Sequence, residues 1–325
     1  MSAPEVSVVI PTRNRWKLLS CRALRSALSQ ERVEHEVIVV DDGSTDETPA
    51  QLVALDEPRL RIIRLEIRGG VARARNAGIA AASGEWIAFL DDDDVWSPNK
   101  LRAQLDQAVG ERAELVYAGV VSVDEEGAVR YVFPLPSPAE LPALILAASV
   151  LPAGCSNVLA RTELVRAVGG FDERLFQLAD WDLWIRLAGA GRAAACAEVL
   201  VAYLEHGENM LLADGGDVTF EFAYLERKHR ASRDERGVEL DHRTFFHWVA
   251  WGHLRRKQRL RAARVFLRSG IEGRRIGDIL LAVAFVVRAC VPLYSGRPIL
   301  GRLLGPDRAS SAVSPSGPSW LELYR

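Results

Sequence analysis

The chain has 325 residues, of which 49% are apolar and 26% are charged, and its formal net charge is −2. This composition is typical of a globular protein. The length suits one large domain with an appendage, or two modest domains. Because there is no basic excess, nucleic acid is not expected as the main partner.

The first hundred residues alternate short β-branched runs with segments of helical spacing. This alternation predicts a mostly parallel sheet flanked by helices, with right-handed crossovers between the strands. The third predicted helix is the alanine-rich segment Val71–Ala82. The fourth begins after Ser97–Pro98, which reads as an N-cap followed by proline in the first turn. The four predicted strands are Val6–Ile10, Glu36–Val40, Leu60–Leu65 and Glu85–Leu90.

From about Leu115 the pattern predicts a further strand and a hairpin that turns near Asp124–Gly127. A short strand in GCSNVLA, a helix from Thr162, a helix near Asp180 and a last strand in EVLVAYLEH follow. Beyond Asp217 the chain is predicted to be helical. It ends in a tail rich in serine, proline and glycine, which is predicted to be disordered.

Polar residues follow the predicted strands of the first half. PTRN comes after the first strand, DDGSTD after the second, Gly69–Gly70 in the loop after the third, and DDDD after the fourth. In parallel sheets, ligands bind outside the carboxyl ends of the strands, where the strand order reverses. We therefore expect these groups to line one crevice.

The acidic run Asp91–Asp94 directly follows the apolar segment WIAFL. Neighbouring carboxylates repel one another and prefer to stay hydrated, so four of them at the end of a buried strand indicate a shared cation. Hard oxygen ligands suit Mg²⁺ or Mn²⁺. The alternative is a solvated start of a helix, and Asp94 is the member expected to support the helix that follows.

Four motifs occur in the order and spacing of one known family. They are VSVVIPTRNR, VIVVDDGSTDET, ARARNAGIAAASGEWIAFLDDDDVWSPNKL and GGFDE…DWDLWIRL, and through them the chain resembles the family 2 glycosyltransferases over roughly residues 5–210. The resemblance implies an α/β protein of the GT-A fold, with a Rossmann-like, mostly parallel central sheet flanked by helices, and a GT-A domain over 1–214 (nucleotide-binding half 1–113, acceptor half 114–214). Beyond the resemblance, the sequence pattern predicts a C-terminal helical extension over 215–305 and a disordered tail over 306–325.

The resemblance also implies a set of donor-binding residues. In the family, the PTR segment lies against the base and ribose, and Asp42 accepts from the imide N–H of the base, which separates uracil or thymine from cytosine. Glycines at the start of a helix, here Gly69–Gly70, allow a diphosphate to approach the backbone amides, although they could also form only a loop. Arg73 or Arg75 would add a charge-assisted contact, and Arg75 matches the family more closely. An ordinary turn with a capping box from Ser44 to Glu47 is the structural alternative, and both can hold together. The implied donor-binding residues are Pro11, Thr12, Arg13, Asp42, Arg75, Asp91 and Asp92.

For the acidic run, the resemblance implies that Asp93 is the metal ligand. Asp91 would contact the ribose or a metal-bound water, with Asp92 between them, and His206 would complete the metal or diphosphate site. In the segment of His206, YLEHGEN, Leu204 replaces the family's usual arginine, and a surface histidine is the alternative. The cation, Mn²⁺ or Mg²⁺, would stabilise the charge that grows on the leaving diphosphate.

The segment ADWDLWIRL carries the implied catalytic base. Asp180 would remove the proton of the acceptor hydroxyl as that oxygen attacks the anomeric carbon, and such a single displacement inverts the anomeric configuration. Ala179 stands where the family often has a glutamate. The alternative role for Asp180 is a helix N-cap.

The sequence therefore predicts an inverting, metal-dependent glycosyltransferase that acts in polysaccharide or cell-envelope biosynthesis. It would move a sugar from a UDP- or dTDP-sugar to a hydroxyl of a glycan, a lipid-linked or a small-molecule acceptor. One alternative is a sugar nucleotidyltransferase, although no N-terminal glycine-rich loop of the GxGxR type is present. The other is a catalytically silent scaffold that binds nucleotide sugars.

The chain is expected to be cytoplasmic. Its N-terminus reads as a strand rather than a signal peptide, and its four cysteines form no CxxC pair, which favours reduced thiols. The apolar stretch Ile276–Tyr294 is interrupted by Asp278 and Arg288, which favours a buried or interfacial helix over a membrane span. The basic segment Trp248–Arg275 is interpreted either as solvated helix faces or as part of a peripheral contact, through residues 248–294, with anionic lipid at the inner face of the cell membrane.

Overall fold

The computed structural model describes residues 3–206, 218–290 and 317–324. These residues form two compact units. The first contains residues 3–145, 149–206 and 317–324, and the second contains residues 146–148 and 218–290. The predicted domain boundaries at residues 214 and 305 lie outside the described residues.

The first unit is built on a mixed sheet with nine strands among its described residues. The strands are β1 (Val6–Thr12), β2 (His35–Asp41), β3 (Leu60–Arg64), β4 (Trp86–Phe89), β5 (Val95–Trp96), β6 (Leu115–Val123), β7 (Val129–Val132), β8 (Leu159–Arg161) and β9 (Ala193–Leu204). Their order is β3-β2-β1-β4-β8-β6-β9-β5, with β7 paired to β6. The order reverses at β1, which has β2 on one side and β4 on the other.

Most of the paired residues are in parallel pairs. The pairs β1–β2, β1–β4, β2–β3 and β6–β9 are parallel, whereas the antiparallel pairs β4–β8, β5–β9, β6–β7 and β6–β8 are short. Strands β1, β2, β4 and β6 are buried at every position, as expected for strands covered on both faces. The prediction of an α/β fold with a mostly parallel sheet flanked by helices is confirmed.

Helices alternate with the strands in the first two thirds of the chain. They are α1 (Trp16–Leu18), which continues through a π-helix (Leu19–Ala23) into α2 (Leu24–Leu28), then α3 (Thr48–Val53), α4 (Val71–Ala81), α5 (Lys100–Glu111), α6 (Leu141–Ala147), α7 (Thr162–Ala167) and α8 (Ala179–Ala190). The hairpin of β6 and β7 also lies where the sequence predicts it.

The fourth predicted helix starts later than the sequence indicates. Helix α5 begins at Lys100, its N-cap residue is Asn99, and no side chain caps it. Ser97 instead continues from β5, and its N–H donates to the carbonyl oxygen of Leu200 in β9 at 2.9 Å. Pairing with a neighbouring strand therefore overrides the local capping signal.

The second unit is helical over residues 218–290. Its helices are α9 (Val218–Lys228), α10 (Arg230–Arg236), α11 (His242–Arg255), α12 (Arg259–Glu272) and α13 (Ile276–Cys290). Ala250, Ala262, Phe266, Leu281 and Phe285 belong to one buried cluster that joins the last three helices. The predicted helical extension is confirmed for this range. Within the part of the chain that the structure describes, no helix combines the length and the apolarity needed to cross a bilayer.

Part of the tail differs from the prediction of disorder. Residues 306–316 lie outside the described residues, but Ser319–Tyr324 form a 3-10 helix in the first unit. Leu321 is 4% exposed, and the indole N–H of Trp320 donates to the carbonyl oxygen of Val199 at 3.0 Å. These apolar side chains supply the buried surface that a tail of serine, proline and glycine alone would lack.

Candidate active site

The loops that follow β1, β2 and β4 are hydrogen-bonded to one another. The backbone N–H of Asn14 donates to Ser44 Oγ at 2.9 Å, and Asn14 Oδ1 accepts from the backbone N–H of Thr45 at 2.7 Å. Thr12 Oγ1 donates to Asp92 Oδ2 at 2.8 Å. The polar groups at the carboxyl ends of these parallel strands therefore meet at one edge of the sheet.

The PTR segment lies at this edge. Pro11 and Thr12 are the last residues of β1 and are buried, and Pro11 is level with Val40 of β2. Arg13 is half-buried. Within the described ranges, its Nε is a buried donor without a hydrogen-bond partner. Arg13 therefore retains a donor for a ligand, whereas the Thr12 hydroxyl is already engaged.

Two members of the acidic run share one arginine. Arg15 Nη1 donates to Asp92 Oδ1 at 3.1 Å and to Asp93 Oδ2 at 3.0 Å. Burial and the neighbouring charge of Asp93 raise the pKa of Asp92 to about 7, although Arg15 and the Thr12 hydroxyl act to lower it. The role of Arg15 could not be predicted from the sequence, because nothing in PTRNR distinguishes it from Arg13.

Asp93 also faces the predicted histidine. His206 Nε2 lies 3.0 Å from Asp93 Oδ2, and the His206 side chain is 6% exposed. The third predicted metal ligand, Asp91, instead pairs with Arg75. Among residues 3–206, 218–290 and 317–324, no group of three His, Cys, Asp or Glu side chains is arranged as a metal site.

The residues present nevertheless fit a divalent cation. Asp93 and His206 offer a carboxylate oxygen and an imidazole nitrogen at one point, and Mn²⁺ accepts both donor types. Magnesium and manganese ions in such sites keep waters and take further ligands from substrate phosphates, so a site with few protein ligands is expected.

Asp94 does not support the following helix, so that expectation is wrong. Its side chain is fully buried, Oδ2 accepts from Ser156 Oγ at 2.5 Å, and Oδ1 accepts from the backbone N–H of Leu204 at 3.1 Å. Burial, with the charges of Asp93 and Asp91, raises its pKa. Asp94 thus joins the acidic run to the end of β9, two residues before His206.

The loop between α6 and β8 holds the first aspartate. Ser156 Oγ accepts from the backbone N–H of Asp91 at 3.0 Å, and the Ser156 carbonyl accepts from the indole N–H of Trp96 at 2.7 Å. Asn157 Oδ1 accepts from the backbone N–H of Ala118 at 2.7 Å. This loop could not be predicted as part of the site, since GCSN carries no local signal beyond the short strand that follows.

Asp42 clamps the loop that precedes α4. Its Oδ1 accepts from the N–H of Gly69 at 2.6 Å, and its Oδ2 accepts from the N–H of Gly70 at 2.9 Å. The sequence assigned these glycine amides to the donor diphosphate, but in the structure a carboxylate of the chain takes both. Asp42 is 5% exposed, so the clamp is largely shielded from water.

Arg75 is buried rather than open to a diphosphate. It is 4% exposed, its Nη2 donates to Asp91 Oδ1 at 2.5 Å, and its guanidinium lies 5.2 Å from the centre of the Phe171 ring. The same positive charge opposes the effect of burial on the pKa of Asp180. Arg75 is therefore an internal counter-ion for the carboxylates of the site.

Asp180 lies in the first turn of α8, next to Gly154 in the loop between α6 and β8. The N-cap residue of α8 is Leu178, so the alternative role of Asp180 as N-cap does not apply. A Cβ atom built on Gly154 would lie 3.0 Å from Asp180 Oδ2 and 3.8 Å from Asp91 Oδ2. The two carboxylates therefore flank one glycine. Burial raises the pKa of Asp180 to about 6, against the lowering effect of Arg75.

A mixed α/β sheet with carboxylates gathered at the ends of its parallel strands is the arrangement of the GT-A fold. The chain belongs to glycosyl transferase family 2, whose family model matches residues 7–163. The uncharacterized glycosyltransferase YwdF of Bacillus subtilis (strain 168) is 30% identical over 212 residues, which cover 63% of this chain and 76% of YwdF.

A second relative is the succinoglycan biosynthesis protein ExoO of Rhizobium meliloti (strain 1021). It is 41% identical over 160 residues, which cover 49% of this chain and 44% of ExoO. The matched part of this chain covers 31% of an uncharacterized glycosyltransferase of Rickettsia conorii and 35% of one of Rickettsia felis. The chain thus spans less than half the length of these three curated relatives.

Two solved structures have the same GT-A fold. S. aureus TarS 1–349 in complex with UDP-GlcNAc aligns with a TM-score of 0.54 at 19% identity, over 90% of this chain and 93% of that chain. The mannosyltransferase PcManGT from Pyrobaculum calidifontis, in complex with GDP-Man and Mn²⁺, aligns with a TM-score of 0.52 at 18% identity, over 93% and 79%. At these identities the likeness concerns the fold alone.

Proposed function

We propose that the protein is an inverting glycosyltransferase that moves a sugar from a UDP- or dTDP-sugar to a hydroxyl of a glycan or lipid-linked acceptor. The observation that carries the proposal is the position of Asp180, a partly exposed carboxylate beside Asp91 and the acidic run. ExoO is a biosynthesis protein for the polysaccharide succinoglycan, which supports a role in polysaccharide or cell-envelope biosynthesis. A small-molecule acceptor is the alternative.

Asp180 is the proposed general base. An inverting displacement needs a proton acceptor beside the attacking hydroxyl, and the ideal pKa of such a base lies near the operating pH. A pKa of about 6 leaves Asp180 ionised at neutral pH and more basic than an ordinary aspartate. Arg75 supports this role, because its charge lowers the pKa of Asp180 and so favours the ionised form.

Asp93 and His206 are the proposed ligands of Mn²⁺ or Mg²⁺, and Asp91 is proposed to contact the ribose or a water bound to the ion. The cation, when bound, would neutralise the charge that grows on the leaving diphosphate. The manganese in PcManGT supports a divalent ion. Arg15 adds a fixed positive charge next to Asp93, which favours the same diphosphate.

The donor base and ribose are proposed to bind at Pro11, Thr12, Arg13 and Asp42. Each oxygen of a carboxylate can accept two hydrogen bonds, so Asp42 can hold its loop and still accept from the imide N–H of uracil or thymine. Arg13 contributes its unpartnered Nε. The UDP-GlcNAc complex of TarS supports a uridine donor, and Asp92, which is bound to Thr12, orders the ribose side of the site.

Metal-dependent donor binding tests the site directly. Calorimetry with UDP, dTDP and GDP, each with and without Mn²⁺, should give the tightest binding for UDP or dTDP in the presence of the ion. Asp93→Asn should remove the effect of the ion, whereas the matched change at an exposed aspartate, Asp106→Asn, should keep it. Equal UDP affinity with and without Mn²⁺ in the wild type would refute the metal assignment.

The released product separates the proposed reaction from its alternatives. A glycosyltransferase releases UDP or dTDP from a nucleotide sugar, whereas a sugar nucleotidyltransferase releases pyrophosphate from a nucleoside triphosphate and a sugar phosphate. A silent scaffold binds the donor and releases neither. A panel of nucleotide sugars and triphosphates, assayed for both products, therefore decides among the three.

The second unit suits contact with an anionic membrane surface, which would give access to a lipid-linked acceptor. On α12, Leu260, Leu267 and Ile271 are spaced to share one face and are 54%, 41% and 63% exposed. Arg261 and Arg264 are exposed on the same helix. Exposed apolar residues flanked by arginines are typical of helices that lie in a lipid interface.

Sedimentation with vesicles tests this contact. We expect binding to vesicles that contain phosphatidylglycerol, a loss of binding at high salt, and little binding to pure phosphatidylcholine. Arg261→Glu with Arg264→Glu should abolish binding, whereas Arg192→Glu, at an exposed position in the first unit, should not. If the anionic vesicles leave the wild type in the supernatant, these helix faces are simply solvated.

A further inference from the structure

Gly154 lies beside two carboxylates of the candidate active site, those of Asp180 and Asp91. Its backbone has φ +47°, in the left-handed region, and the residue is partly exposed. A Cβ atom at this position would stand 3.0 Å from Asp180 Oδ2 and 3.8 Å from Asp91 Oδ2. The missing side chain therefore leaves a gap that both carboxylates face.

The loop around this gap is firmly held. Cys155 and Ser156 are fully buried, and the N–H of Ser156 donates to the carbonyl of Ala153 at 2.9 Å. Ser156 is further fixed by its hydrogen bonds with Asp91, Asp94 and Trp96. Because these hydrogen bonds oppose movement of the loop, we expect a side chain added at Gly154 to project into the gap.

The chemistry of transfer requires space at this point. An acceptor oxygen has to come within about 2.6–3.2 Å of the base that takes its proton, so the carbon that bears this oxygen lies close by. A methyl group 3.0 Å from Asp180 Oδ2 would compete with that carbon for the same volume. Water has no such carbon and can still approach the carboxylate.

We propose that Gly154 is a specificity-determining residue, whose missing side chain is the opening through which an acceptor hydroxyl on a substituted carbon reaches Asp180. The proposal rests on the proposed role of Asp180 as the base. A side chain at position 154 should thus discriminate acceptors by the bulk at the attacking carbon. Water is affected least, a primary alcohol more, and a secondary alcohol, such as a ring hydroxyl of a sugar, most.

The test compares acceptors of increasing bulk in Gly154→Ala. The donor is whichever nucleotide sugar of the panel loses its diphosphate in the wild type, and the acceptors are water, methanol and propan-2-ol. We expect hydrolysis by water within about threefold of the wild type and transfer to propan-2-ol lowered by about 10- to 100-fold, as for a methyl group forced into filled space. An equal loss with all three acceptors, or no loss, overturns the proposal.

Two further variants separate the gap from backbone strain. Gly169 has φ +86° with no heavy atom within 4 Å of an added Cβ, so Gly169→Ala carries the strain alone and should keep the wild-type order of acceptors. Asparagine tolerates the left-handed region better than alanine but is larger, so Gly154→Asn should block propan-2-ol at least as strongly as Gly154→Ala. A milder effect of asparagine would mean that strain, not bulk, is responsible.

Chemical labelling of the Asp180 carboxyl tests whether the gap is open, and it does not require the protein to be catalytically active. A water-soluble carbodiimide with glycinamide labels accessible carboxyls, and mass spectrometry quantifies the label on the Asp180 peptide. Relative to the wild type, labelling of Asp180 should fall several-fold in Gly154→Ala and stay unchanged in Gly169→Ala. Equal labelling in the wild type and both variants overturns the proposal. A wild type that releases no diphosphate from any donor, or an Asp180→Asn variant that still transfers, counts against the proposed function, and the footprint still decides on the gap.

Discussion

Replacing Asp180 with asparagine is expected to slow transfer by about 10²–10⁴-fold and to stabilise the fold at the same time. Burial raises the pKa of this carboxyl from 3.8 to about 6 even with Arg75 nearby. At about 1.36 kcal/mol per pKa unit, the ionised form costs at most about 3 kcal/mol at neutral pH, and less because the side chain is partly exposed. Asparagine removes the charge and keeps the Oδ1 that accepts from the N–H of Trp181.

The pH dependence gives the sign of this effect. With its pKa raised in the folded state, Asp180 binds more protons when folded than when unfolded between about pH 4 and pH 6. Its destabilising effect is therefore complete above pH 6 and absent below pH 4. Urea unfolding should show a more stable Asp180→Asn variant at pH 7.5 and no difference at pH 4, while the exposed control Asp106→Asn stays within about 0.5 kcal/mol of the wild type throughout.

The kinetic measurement on the same protein tests the role of the base. In the wild type, kcat/KM should fall below about pH 6, to roughly a tenth of its plateau at pH 5, because only the ionised carboxylate accepts the proton. The transfer rate of Asp180→Asn should be about 10²–10⁴-fold below that of the wild type, and the variant should still bind UDP. The reasoning fails if the variant transfers at the wild-type rate, or if it is no more stable than the wild type at pH 7.5.

Three other outcomes follow from the structure. Ser156→Ala leaves the buried Asp94 without its hydroxyl donor and should lower the free energy of unfolding by about 1–3 kcal/mol; an unchanged urea midpoint would contradict this. Lys100 is fully buried, and burial lowers its pKa, so its charged form destabilises the fold at pH 7 and much less at pH 10. Lys100→Met should therefore raise the melting temperature at pH 7 and much less at pH 10. The loss of the hydrogen bond to Gln104, worth about 1 kcal/mol, opposes this gain. Chelation by EDTA should stop transfer and Mn²⁺ should restore it; full activity in EDTA would exclude a required metal.

The backbone of residues 3–113 could be predicted closely because its signals are local. β-Branched runs such as Val6–Ile10 and Glu36–Val40 mark strands, and the alanine-rich segment Val71–Ala82 marks a helix, whatever the rest of the chain does. The observed elements differ from these by a residue or two at their ends. The start of α5 could not be predicted in this way, since Ser97 pairs with β9, which lies far along the chain.

The sequence by itself determined the order of strands and helices, the polar motifs at the strand ends and, through these motifs, the family. Tertiary structure alone decided what each charged side chain meets. Asp94 binds Ser156, which is 62 residues away, and Asp93 faces His206, which is 113 residues away. Arg75 turned inward to the carboxylates for the same reason. Periodicity and turn residues act over a few positions, whereas a buried charge takes whichever partner the folded sheet brings within hydrogen-bonding distance.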